Sequence, residues 1–196
     1  MRAVGATEDE FAQALDHVRA VRLRPEFQLD EAPAPQRLAP SAIALTAESV
    51  NPDDAASGRF VLLHDPDGVD EWEGSFRAVV FVRAEVEADL VADPMLHEIA
   101  WAWVLEALDA SAASAVQIGG TVTSTFGRSF GSMADRPAEG FLEIRSSWTP
   151  VAEGSPAAEM GRHVQAWADL LAHAAGLTPL PADVARVDLA RGRMRS

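Results

Sequence analysis

DPMLHEIAWAWVLEALDASAASAVQIGGTVTSTF, residues 93–126, carries the change of period on which the fold turns. Its first half repeats at helical spacing. Leu96, Ile99, Trp103 and Ala107 form one stripe, and Trp101, Val104, Leu105 and Leu108 form a second. Only Glu98, Ala102, Glu106 and Asp109 are left as a narrow wet stripe, which predicts a helix buried on most of its circumference. Asp93 suits the N-cap and Pro94 the first helical position. The second half switches to period two. Val116, Ile118, Val122 and Phe126 fall on one face, and Thr121, Thr123 and Thr125 on the other. Gly119–Gly120 in its middle marks a bulge or a close backbone approach. No catalytic signature lies in this stretch. The two tryptophans share their stripes with aliphatic residues, so both read as core.

Upstream, Thr7 and Glu10 have capping-box spacing and open a helix with Phe11, Ala14, Leu15 and Val18 on one face. Pro25 predicts its end near Leu23. Residues 25–40 hold four prolines and read as an extended arm. Three strands follow. Ser41–Ala47 alternates, Gly58–Asp65 is apolar on both faces, and Ser75–Glu85 is the clearest. In the last, Phe76, Ala78, Val80, Val82 and Ala84 oppose Arg77, Val79, Phe81, Arg83 and Glu85. DPDG at 65–68 predicts the turn between the second and third strands.

Downstream, GRSFGSMADRPAE at 127–139 is a polar, Gly-rich loop. Gly140–Trp148 is the last strand, with Leu142, Ile144 and Trp148 inward. Ser155–Pro156 starts the last helix, buried along Met160, Val164, Trp167 and Leu171, and Gly176 suits its end.

The predicted order is α-β-β-β-α-β-β-α. Consecutive strands and short turns indicate an α+β protein. Its expected architecture is two-layer: a five-stranded, mainly antiparallel sheet with helices packed on one face. That order is also the one of secretion-chaperone-like folds, a likeness at fold level alone. A single domain over residues 1–196 is expected, with a globular part at about 7–180 and an Arg-rich tail at 181–196.

Composition narrows the function classes. Hydrophobic residues make up 48% and charged residues 23%, an ordinary globular balance. The absence of cysteine excludes disulfides and thiolate metal sites. Net charge is −14 and every basic residue is arginine, so a general affinity for a phosphate backbone is disfavoured. Residues 186–196 carry +3 of that total, so the remainder carries −17. This basic tail is the one feature that suggests a nucleic-acid or acidic-surface contact. No apolar run reaches the ~20 residues of a membrane span, and the N-terminus has no secretory h-region. A cytoplasmic location is the expectation.

The candidate chemistry is sparse. His17, His64, His97, His163 and His173 include no H-E-x-x-H pair, and a metal site would need residues such as Asp93 and His97 joined by the fold. His64–Asp65–Asp67 has the composition of an oriented general base, but its DPDG context favours turn chemistry. Ser124, Ser129 and Ser132 lack a nucleophile-elbow context. No cofactor is indicated. With helices on one face of the sheet, the other face gathers Arg77, Val79, Phe81, Arg83, Thr121, Thr123, Thr125, Glu143 and Arg145. This mixture of cations, hydroxyls and apolar groups suits a protein interface, of a homodimer or with another protein. Arg128, Arg136 and Arg145 form an alternative, an anion site near the 127–139 loop.

Five long segments carry a resemblance: RPEFQLDEAPAPQRLAP (24–40), GRFVLLHDPDGVDEWEGSFRAVVFVRAE (58–85), IGGTVTSTFGRSFG (118–131), EIRSSWTP (143–150) and HVQAWADLLAHAAGL (163–177). Together they resemble an uncharacterised actinobacterial family, domain of unknown function number 3000, over residues 7–180. The resemblance implies an actinobacterial cytoplasmic protein. It brings no activity, cofactor or catalytic residue. The expectation that results is a non-enzymatic, protein-binding or chaperone-like module that self-associates. Its alternatives are a binder of, or enzyme acting on, a small anionic metabolite, and a nucleic-acid-linked regulator acting through the C-terminus.

Overall fold

The computed structural model describes residues 4–52 and 55–178, with side chains from residue 10 onward. The first helix begins at Val4, so Thr7 lies inside it and does not open it, contrary to expectation; the Thr7 side chain and the Arg-rich tail lie outside what is described. Three helices and six strands follow in the order α1 (Val4–Ala20), β1 (Phe27–Ala32), β2 (Ser41–Ser49), β3 (Ala56–Val69), β4 (Gly74–Val86), α2 (Leu96–Ala110), β5 (Ala115–Gly127), β6 (Glu139–Pro150) and α3 (Met160–Ala174). The strands form one sheet in the order β1-β2-β3-β4-β6-β5, and every neighbouring pair is antiparallel.

The sheet thus has six strands where five were expected. The additional one, FQLDEA, lies within the arm between prolines. Phe27 is buried, and the strand pairs with β2 from Phe27↔Ser49 to Ala32↔Ala44. Two carboxylates in six residues and flanking prolines mask its period-two signal. Four strands therefore precede α2, which departs from the secretion-chaperone-like order.

The turn signal DPDG also acts differently. It is a bulge inside β3, between the pairs His64↔Phe76 and Val69↔Gly74, with Gly68 at φ +76°. Asp65 Oδ1 accepts the Asp67 N–H at 3.1 Å, the local Asx bond that favours such a kink. The hairpin closes further on, where the Trp72 and Glu73 N–H groups return to Val69 and Asp70.

Alternation along the central strands sorts the side chains as expected. Phe60, Leu62, Phe76, Val80, Val82, Leu142, Ile144 and Trp148 are buried on one face. Helix α3 lies across it, with Met160, Val164, Trp167 and Leu171 fully buried. The Ser155 hydroxyl caps the entry to α3 by accepting the Ala157 N–H, and Gly176 at φ +70° ends it. Gly58 is required here: a Cβ would come within 2.9 Å of the Trp167 Nε1, which itself donates to the Phe81 carbonyl at 3.4 Å. Helix α1 ends at Ala20, three residues before the expected Leu23, and packs Ala14, Val18 and the half-buried Phe11 and Leu15 on the same side.

Helix α2 is less enclosed than its two stripes suggest. Leu96, Ala100, Val104, Ala107 and Leu108 are buried, whereas Ile99 and Leu105 are each 45% exposed. Trp101 and Trp103 are half-buried against the core. The α-helix begins at Leu96, after a turn in which Asp93 Oδ1 accepts the Met95 N–H at 2.8 Å. One face of α2 rests on α3 and β5, and among the described residues no element covers the other.

Candidate functional site

The face of the sheet opposite the helices is built by the odd-numbered residues of β4 and β6 and the threonine row of β5. Strand register sets their rows. Arg59, Phe81, Arg145 and Thr121 lie side by side, followed by Ser57, Arg83, Glu143 and Thr123, and then Glu85, Phe141 and Thr125. The expected interface residues Val79, Phe81, Arg83, Thr121, Thr123, Thr125 and Arg145 are all brought together here.

The side chains engage one another. The Arg145 guanidinium lies 5.3 Å from the Phe81 ring centre, and that of Arg83 lies 4.2 Å from the Phe141 ring centre. Glu143 stands between them, accepting from Arg83 Nη1 at 3.1 Å and Arg145 Nη2 at 3.2 Å. The result is two aromatic–arginine stacks bridged by one carboxylate. Arg145 keeps 65% of its side chain exposed, and Val79 is 38% exposed. Exposed ion pairs of this kind contribute little to stability. Phe141 and Arg59 complete the arrangement and are additional to the expected set. Period-two counting from Glu143 and Phe81's strand partner would have found them.

Arg77 differs from its neighbours. It is half-buried, and donates to the Gln117 carbonyl at 3.0 Å, Thr149 Oγ1 at 3.1 Å and Ser147 Oγ at 2.7 Å. Burial pushes its pKa down, yet three acceptors keep the cation in place. It holds the bulge of β5, where Gln117 sits at φ +49°, and so serves the scaffold. The face is also covered at one end. Ala44, Val61 and Leu63 form a small second core there, beneath Ala39 and Trp72. At the other end a recess of about 290 Å³ opens beside the Arg83–Phe141 stack, walled by Glu48, Asn51, Ser57 and Glu85.

The alternative arginines are separated. Arg128 and Arg136 are exposed on the loop between β5 and β6. Arg145 pairs with Thr121, six residues from the Gly127↔Glu139 end that carries the loop, or roughly 20 Å of strand.

The histidines are scattered. His64 is buried between the rings of Phe11 and Phe76, with Nε2 3.7 Å from Glu10 Oε2. Burial pushes its pKa down, and Glu10 opposes that. Asp65 and Asp67 belong to the bulge and do not orient it. His163 is fully buried, its Nδ1 accepting the Trp148 Nε1–H at 3.0 Å. Burial, with Arg162 adding to it, pushes its pKa down to about 4, so it is neutral. His97 Nε2 meets Ser124 Oγ at 3.0 Å and pins α2 to β5. Among the described residues, no group of three His, Asp or Glu is placed to hold a metal ion, and no helix is long and apolar enough to cross a membrane.

No curated protein and no solved structure matches the chain. A family model described as "Protein of unknown function (DUF3000)" matches residues 7–185, nearly the whole length, and the chain belongs to that family.

Proposed function

We propose that the chain is a non-enzymatic protein-binding module whose binding surface is the uncovered sheet face around Phe81 and Phe141. The observation that carries this is the pair of aromatic–arginine stacks joined by Glu143. Aromatic and arginine side chains dominate binding energy at protein interfaces, and here they stand already ordered by the strands beneath them. Arg59, Arg83 and Arg145 also give this face a group of cations in a chain whose net charge is −14. A partner with an apolar side chain flanked by carboxylates fits it: the apolar group meets Phe81 and Val79, and the carboxylates compete with Glu143 for the guanidiniums. The face is shallow, whereas catalysis favours a concave site that excludes water.

Phe81→Asp tests this. The side chain is half-exposed, so the fold should survive, as circular dichroism would verify. Proteins that co-purify with the wild type in its source organism are expected to be lost from Phe81→Asp and retained by Ile99→Gln on the far side. An unchanged set with Phe81→Asp overturns the proposal.

A further inference from the structure

The sheet has two edges, and they are finished differently. Strand β1 is short, carries Asp30 and Glu31, and is followed by Pro33. Arg19 of α1 reaches across to Glu31 at 2.9 Å. These are the devices by which natural sheets prevent edge pairing. Strand β5 has none of them over Gly119–Gly127. It runs GGTVTSTFG without a charge or a proline, in a chain of net charge −14. Among the described residues, its outer backbone groups form an uncharged, unpaired ladder.

Two side-chain features lie on the helix side of that edge. Gly120, with His97, Glu98, Trp101 and Val122, lines a groove of about 410 Å³. Phe126, six residues on and on the same face, is 53% exposed. The strand thus borders both a groove beside Trp101 and an unburied aromatic ring.

We infer that the outer edge of β5 is a homodimer interface. A second copy of this chain pairs antiparallel about Thr123 and seats its Phe126 in the groove beside Trp101. The register follows from the sequence. Beyond the bulge the regular part of β5 is Gly119–Gly127, and Thr123 is its midpoint. Pairing about that point sets Phe126 opposite Gly120 of the other copy, Val122 opposite Ser124, and Thr125 opposite Thr121. Directly opposed residues share a face, so each Phe126 lands on the helix side, over the groove that Trp101 and Val122 line beside Gly120. The two contacts are identical by symmetry, as a two-fold dimer requires. Two acidic copies repel each other over most of their surfaces, and this strand brings no charge to the contact. The inference is independent of the open-face proposal, since neither Phe81 nor Phe141 takes part.

Light scattering of the full chain tests it. The wild type is expected to show twice the chain mass. Thr123→Asp and Thr123→Arg each place like charges opposite themselves at the two-fold, which should weaken association about 100-fold or more. Mixing the two variants should restore the dimer, a result that misfolded chains would not give. Phe126→Ser should also weaken it, whereas Phe81→Asp should leave it intact. In this cysteine-free chain, Thr123→Cys should form an intermolecular disulfide on mild oxidation. A monomeric wild type, a dimer indifferent to Thr123→Asp, or a charge-swapped mixture that stays monomeric overturns the interface.

Discussion

The histidines and glycines show how far single residues depend on their surroundings. His163 sits in a helical sequence context that allows it to face water, but its ring accepts the Trp148 N–H inside the core. Only the neutral ring has a lone pair to do so. Its folded pKa of about 4 lies below the ordinary value of 6.5, so the unfolded chain binds the proton more readily. The stability that neutral His163 contributes is complete above pH 6.5 and is lost as pH falls towards 4. Between pH 7 and pH 4.5 this amounts to about 2 kcal/mol. Glutamine can accept the same hydrogen bond without titrating. Urea unfolding of His163→Gln at both pH values is expected to show a smaller acid loss than the wild type, by about that amount. Equal losses would contradict the assignment. Nothing in the sequence distinguishes this histidine from His97, which is exposed; burial comes from the packing of α3 on β6 and is invisible to local pattern.

At the scale of elements, the strands with strict alternation were legible. Strand β4 and strand β6 follow their expected faces, because a one-residue slip would turn Phe76, Val80 and Val82 into water. Strand β1 was not legible, because Asp30, Glu31 and the flanking prolines obscure its alternation. The DPDG stretch was read as the turn between two strands and is instead a bulge within β3, since the same φ values serve both. Helix α2 illustrates the opposite error. Apolar composition implied two buried faces, but the sheet and α3 cover only one side, and Ile99 and Leu105 stay wet. In β5, Gly119–Gly120 was read as a bulge or a close approach, and both occur, at adjacent positions. The bulge separates Val116 from Gly119 and turns Val116 away from the face shared by Val122 and Phe126. The close approach is at Gly120, where a Cβ would lie 2.2 Å from the Arg145 carbonyl oxygen. Gly119 has nothing within 4 Å of that position. Gly120→Ala should therefore lower the unfolding free energy by about 3 kcal/mol, as backbone must move to admit it. Gly119→Ala should stay within about 0.5 kcal/mol of the wild type. Chemical denaturation of the two variants checks this, and comparable effects would place the β5–β6 approach elsewhere.

For the whole molecule, the central point is the asymmetry of the sheet. One face carries all three helices and the main core. Among the described residues, the other is covered at the β1–β3 end, by Ala39 and Trp72. The residues expected on the free face were found there because period-two counting is reliable once the buried face is known. What they do to one another was not legible. The stacks of Arg145 on Phe81 and Arg83 on Phe141 depend on register across three strands, which no single segment encodes. The separation of Arg145 from Arg128 and Arg136 rests on register in the same way. The claim that this face meets another protein is tested most directly by photo-crosslinking in living cells of the source organism. A benzoylphenylalanine would be placed at position 81 and, for comparison, at position 99. The account expects a discrete adduct heavier than the chain from position 81 and none from position 99. No adduct at 81, or the same adducts from both positions, would contradict it.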